Sequence, residues 1–337
     1  MDVAGWVWAV TAAAVVGLVL FDFFAHVRTP HAPTFQESVR WSVFYIALAV
    51  VFGVGLGMTS GWDFGSEYFA GYVTEKSLSV DNLFVFLIIM TKFAVPREYQ
   101  QKVLLVGVVI ALVLRTVFIL AGAAAIEQFS WVFYIFGAFL VYTAVKLARE
   151  HHDPDHPEDE KAGDGFAVRT FKRLLPTVDE YHGDRLTTRI DGKRFFTPML
   201  VVMVAIGSTD ILFALDSIPA IYGLTEEPYI VFTANAFALL GLRQLYFLIG
   251  GLLDRLVYLS QGLSVILGFI GVKLVLHALH VNELPFINGG EHVEWAPEIP
   301  TWLSLSVILG TLAVATVASL VKTRNDARLE SAGAPRS

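Results

Sequence analysis

Residues 103–122 read VLLVGVVIALVLRTVFILAG, a run of twenty residues with a single charge, Arg115. At 1.5 Å of rise per residue such a helix is about 30 Å long, the thickness of a bilayer's hydrocarbon core. No polar face repeats along it, so it does not read as the amphipathic helix of a soluble domain. A charge at that depth costs about 2.5–3.5 kcal/mol on insertion scales, which demands a partner for Arg115. The rest of the chain repeats the pattern. Of 337 residues, 55% are hydrophobic and 16% charged, with a mean hydropathy of +0.61. A soluble domain carries roughly a quarter charged residues. The sequence therefore predicts an all-α, polytopic transmembrane helix bundle.

Nine spans are expected, at about 4–25, 40–59, 67–91, 102–124, 130–148, 198–223, 229–251, 257–279 and 301–322. The first lacks a basic leading segment and a small-residue cleavage pattern, so it reads as a retained helix and not a signal peptide. Every second joint is basic: Arg28 and Arg40, then Lys92, Arg97 and Lys102, then the polar block 149–196, Arg255, and the tail with Lys322 and Arg324. The other joints carry Asp63, Glu127, Glu226 with Glu227, and Glu283 to Glu298. The positive-inside rule then sets the N-terminus outside and the C-terminus in the cytoplasm. Trp62, Trp131, Trp295 and Trp302 fall at outer ends, as an aromatic belt requires. With no cysteine, thiolate metal sites and disulfides are excluded, and no basic surface suggests nucleic acid.

Two stretches align. EKSLSVDNLFVF, LRTVFILAG and FGAFLVYTAVKL follow one another in spans three to five; STDILFALDSIPAI, LRQLYFLIGG and LGFIGVKLVL do so in spans six to eight. Glu75 and Asp81 match Asp210 and Asp216 at equal spacing, Asn82 matches Ser217, Arg115 matches Arg243 and Lys146 matches Lys273. Each unit has an odd number of spans, so the two run in opposite directions. Inverted-topology repeats are characteristic of secondary transporters, which bind substrate near the midplane. The expected organisation is 1–66 with two helices, 67–148 as the first repeat, 149–196 as a cytoplasmic loop, 197–279 as the inverted repeat, and 280–337 with the last helix and tail. Chance similarity among apolar helices explains the apolar matches but not paired acids at one spacing.

The candidate metal ligands are Glu75, Asp81, Asn82, Asp210, Asp216 and Ser217. All are oxygen donors, which suit Mg²⁺, Ca²⁺ and Mn²⁺ better than copper or zinc. On a straight helix the two acids of a span face different directions, so either both directions face protein or the helix is broken near the site, and Ser77, Ser79, Gly207 and Pro219 favour local unwinding in spans three and six. The competing reading pairs the acids with Lys76, Arg115 and Arg243 as salt bridges that lock the bundle. Asp22 reads as interfacial, as do His277 and His280. The tract HHDPDHPEDE at 151–160 reads as a solvated loop, with metal collection as its functional alternative. An intramembrane aspartyl protease would need a Gly-x-Gly-Asp segment that is missing, so no enzyme, catalytic residue or cofactor is expected.

The pair EKSLSVDNLFVF and STDILFALDSIPAI resembles the signature of the TerC family of integral membrane proteins, over about residues 20–325. The resemblance implies a bacterial inner-membrane protein of the wider LysE-like transporter superfamily, with links to manganese export, metal loading of exported proteins and tellurite resistance. Its acidic positions fall on Glu75, Asp81, Asp210 and Asp216. The resulting expectation is a divalent-cation exporter, Mn²⁺ first, exchanging with protons. The alternatives are a Ca²⁺ or proton transporter, or a non-transporting membrane scaffold of a metal or tellurite stress-response complex, with the polar 149–196 loop as its docking surface and other membrane proteins as partners.

Overall fold

The computed structural model describes residues 3–333 apart from 28–30, 130, 151–167, 171–172, 174, 179, 191, 250–256, 283, 285–286, 289–290, 292 and 294. The side chains of Asp81 and Asp216 lie outside the described residues, as does the tract 151–160. Among the described residues ten α-helices carry the fold: α1 Gly5–Asp22, α2 Phe35–Ser60, α3 Trp62–Lys92, α4 Arg97–Gln128, α5 Val132–Glu150, α6 Pro198–Tyr222, α7 Pro228–Leu239, α8 Leu242–Ile249, α9 Leu259–His280 and α10 Thr301–Gly333. Eight stretches among the described residues are helical, long and apolar enough to cross a membrane, α7 and α8 together counting as one. The ninth expected span is α3, which has 31 residues but is not among the eight. Glu75, Lys76, Asp81 and Asn82 lower its hydropathy, and it is instead held inside the bundle against α2, α6 and α7.

Burial follows composition. In α7 every residue from Tyr229 to Leu239 except Phe232 is buried, and the helix is apolar all round, as a central helix must be. α1, α2 and α10 instead expose Val16, Leu20, Val51, Val314 and Val317, which suits lipid contact. Small residues let backbones meet where no hydrophobic difference between lipid and protein drives association. At the crossing of α5 and α9, a Cβ on Gly137 would lie 2.8 Å from the Gly271 carbonyl oxygen, and one on Gly271 would lie 2.9 Å from that of Gly137.

Two departures from the sequence reading matter. First, α3 and α6 are helical through both of their acids; Pro219, near the end of α6, does not break it. Of the two alternatives there, the helix break does not occur; a break is found instead in the seventh span. Leu240 is extended (φ −61°, ψ 128°) and Gly241 has φ +82°, a conformation only glycine adopts cheaply, so the span splits into α7 and α8. Second, the polar block contains a hairpin, β1 Thr187–Ile190 and β2 Lys193–Phe196, antiparallel with Arg189 opposite Arg194 and Gly192 (φ +77°) in the turn. The hairpin region is tied to the helix ends beside it: Tyr181 donates to the Phe93 carbonyl at 2.7 Å and Lys102 to Asp184 at 2.7 Å. That hydrogen bond holds the Asp184 carboxyl below its ordinary pKa.

Gly271→Ala should destabilise the bundle by about 1–3 kcal/mol through overpacking against backbone. Gly310→Ala, with nothing within 4 Å of the added Cβ, should be neutral or slightly stabilising. Unfolding in mixed detergent–lipid micelles measures both; equal effects would contradict the α5–α9 contact.

Candidate functional site

The charged centre is assembled from three helix middles. Glu75 is the fourteenth of the 31 residues of α3, Arg115 the nineteenth of the 32 of α4, and Asp210 the thirteenth of the 25 of α6. Each therefore stands within about 4 Å, along its axis, of the centre of its helix. Their relative exposures are 0%, 0% and 2%, so the site is sealed from solvent. The Arg115 guanidinium donates through Nη1 to Glu75 Oε2, and its Nη2 lies 3.6 Å from Asp210 Oδ1. Two acids around one base leave an excess of negative charge.

The centre is incompletely satisfied. Glu75 Oε1, Asp210 Oδ2 and Arg115 Nε are buried without a hydrogen-bond partner, as are Ser79 Oγ on α3 and Ser217 Oγ on α6. Buried polar atoms are normally paired, so a group of unpaired oxygens on two neighbouring helices calls for a ligand, a proton or water. Chemically the set offers carboxylate and hydroxyl oxygens, the donors of a hard divalent cation.

Of the six candidate ligands, Glu75 and Asp210 are brought together by Arg115. Asn82 is buried on α3 two turns beyond Glu75, and Ser217 is buried on α6 two turns beyond Asp210. Asp81 and Asp216 are placed on α3 and α6 by backbone alone, since their side chains lie outside the described residues. No group of three or more His, Cys, Asp or Glu poised for a metal occurs among the described residues. Thr74 Oγ1 and Asn235 Nδ2, also buried and unpartnered, were not legible as polar core positions in the sequence.

The bases divide differently from the salt-bridge expectation. Only Arg115 meets the paired acids. Lys76 reaches across to α7 and donates to the Ala238 carbonyl at 3.0 Å, at the point where the seventh span breaks. Arg243, aligned with Arg115 by sequence, instead donates through Nη2 to Asp22 at 2.7 Å and through Nη1 to Gln101. Asp22, expected near a membrane surface, is buried within the protein, 6% exposed. Its Oδ1 also accepts from Tyr45 at 3.0 Å and Gln244 at 3.1 Å. An acid inside the apolar run LVLFDFF, rather than after it, was the available signal.

At the opposite end, Glu226 and the His277 imidazole are 2.7 Å apart beside Glu67 and Lys273. The imidazole hydrogen bond holds the Glu226 carboxyl below its ordinary pKa. Its contribution to stability is present above that ordinary value and fades as pH falls through the lowered one.

The fold and its centre define a multi-pass membrane protein built around buried charge. Residues 60–327 match the family model described as "Integral membrane protein TerC family", and the chain belongs to that family. It is 51% identical over 336 residues to the uncharacterized membrane protein Rv2723 of Mycobacterium tuberculosis, covering 100% of this chain and 84% of the relative. It is 40% identical to the thylakoid membrane protein TERC of Arabidopsis thaliana, covering 87% and 71% of the two chains. Identity is 36% to the putative membrane-bound redox modulator Alx of Escherichia coli K12, covering 91% and 92%. These relatives are described as membrane proteins and not as enzymes. No solved structure matches.

Arg115→Gln should destabilise the protein by about 3–5 kcal/mol, because two carboxylates lose their buried counter-charge. Adding Glu75→Gln should recover part of that loss, read as a coupling of at least 0.5 kcal/mol in a double-mutant cycle. Additive losses would contradict the pairing.

Proposed function

We propose that this chain transports a divalent cation across the membrane, Mn²⁺ first among candidates, through the centre formed by Glu75 and Asp210, in exchange for protons. The observation that carries the reading is the pair of midplane carboxylates that share one guanidinium and keep an unpartnered oxygen each. In the empty protein Arg115 acts as a tethered counter-cation. A divalent ion takes its place between the carboxylates, and protonation of the acids on the other side of the membrane releases the ion. Oxygen-only donors favour Mn²⁺, Ca²⁺ or Mg²⁺, and the family resemblance puts manganese first.

The remaining acids extend the path. Asp81 is six residues beyond Glu75 on α3, and Asp216 six beyond Asp210 on α6, about 9 Å along each axis. α3 and α6 run in opposite directions across the bundle, so the second acids fall on opposite sides of the central pair. We therefore read the four carboxylates as a ladder along the transport path, with Asn82 and Ser217 beside its outer rungs, in place of one four-acid cage. The proposed inverted repeats account for this ladder, because each supplies a middle rung and an outer one. The orientation follows the charge alternation, with the hairpin in the cytoplasm. The description of one relative as a redox modulator does not extend to thiol chemistry here, since this chain has no cysteine.

Purified protein in proteoliposomes tests the reading ion by ion. Mn²⁺ flux driven by a pH gradient should exceed Ca²⁺ and Mg²⁺ flux. Asp210→Asn should lower it at least tenfold while the protein still folds, and deletion of 151–167 should spare it. Flux that survives Asp210→Asn, or that is lost with the loop and not with the acid, would favour the scaffold reading instead.

A further inference from the structure

The second charged cluster, around Asp22 and Arg243, lies near the hairpin end of the bundle and plays no part in the central site. It joins four elements: the end of α1 through Asp22, α2 through Tyr45, α4 through Gln101, and α8 through Arg243 and Gln244. Gln101 is tied onward to the His31 carbonyl at 2.7 Å. Gln101, Leu105, Val108 and Arg115 are offset along α4 by 4, 7 and 14 residues, so they share one face. The cluster thus stands on the same stripe as the central site, about 21 Å away along the helix.

Two small cavities, about 10 Å³ each, flank Arg243. One is lined by Ser38, Trp41, Gln101 and Gln244, the other by Val19, Leu105, Val108 and Gly241. Each holds one water at most, and Arg243 lines both. A purely structural ion pair would satisfy all its groups, yet Arg243 Nε and Gln244 Oε1 are buried without partners. The helix that carries Arg243 is also separable from the rest of its span. Leu240 and Gly241 interrupt the backbone ladder, and the Ala238 carbonyl, which a continuous helix would pair with residue 242, is taken by Lys76. Glycine is required at the joint, because a Cβ on Gly241 would lie 2.9 Å from Tyr45 Cβ.

We propose that Asp22, Gln101 and Arg243 form a gate closing the hairpin-side end of the transport path, with α8 as its moving part and Leu240–Gly241 as its hinge. The inference rests on the transport reading above. Opening breaks the bonds of Arg243 to Asp22 and Gln101, α8 swings at Gly241, and the two one-water cavities merge into a passage toward Arg115. Asp22 and Gln101 are positioning residues: they hold the gate and bind no cargo.

The chain contains no cysteine, so a single Leu105→Cys reports on the inner cavity without background. With protein in nanodiscs, a hydrophilic maleimide should label this cysteine slowly when the gate is intact. Asp22→Asn should accelerate labelling at least tenfold and Tyr45→Phe, which removes one donor at nearly constant volume, about threefold. Leu263→Cys, buried in the α9 core, should stay unlabelled throughout, which separates gate opening from general loosening. Should Asp22→Asn not accumulate, Tyr45→Phe decides alone. Unchanged labelling at Leu105→Cys in the folded variants overturns the gate, whatever the flux. Faster labelling in a protein that moves no divalent cation overturns the transport reading, and the gate as a part of a transport path with it, while the opening of α8 at Gly241 stands.

Discussion

A guanidinium held between two carboxylates at the middle of a membrane bundle is the constraint on which the remaining structure depends. None of Glu75, Arg115 and Asp210 can be placed there alone, since an isolated charge in hydrocarbon is costly and an unpaired buried one more so. Their mutual contact requires α3, α4 and α6 to meet at mid-height. That in turn puts α3, a long helix without a span-length apolar stretch, inside the bundle, and leaves α1, α2 and α10 to face lipid. The site and the architecture are one solution to the same electrostatic problem.

The two arginines show how similar sequence can serve different ends. Arg115 and Arg243 occupy matching places in LRTVFILAG and LRQLYFLIGG. Arg115 finds its acids on α3 and α6; Arg243 is turned to Asp22 at the end of α1. The difference follows from the break at Gly241, which detaches α8 from the axis of α7 and brings its first turn against α1 and α2. One arginine bridges the two central acids, and its counterpart holds the end of the bundle.

Most of the fold was legible because hydrocarbon imposes a simple rule. Spans need about twenty apolar residues, and runs of that length separated by charged joints admit little ambiguity. The central acids were legible for the complementary reason: charge within such a run is conspicuous. Less visible were features set by tertiary contact. Gly241 carries the break, whereas Gly207 sits in unbroken helix; both are single glycines in apolar sequence, and only the approach of Tyr45 and the reach of Lys76 distinguish them. Asp22 resembles a residue at a membrane surface because its helix ends there, and its partners Arg243 and Gln244 lie more than 220 residues away. The hairpin 187–196 reads in sequence as part of a polar loop, since its alternation is too short to stand out beside long charged runs.

Metal binding at the shared carboxylates is the claim from which the others descend, and it is measurable without transport. Free Mn²⁺ gives a six-line electron paramagnetic resonance signal that is lost on binding. Titration of the purified protein in nanodiscs should show one saturable site per chain, abolished by Glu75→Gln and by Asp210→Asn in folded protein. Saturable binding of equal affinity in both variants would contradict the account, because the ion would then be held elsewhere.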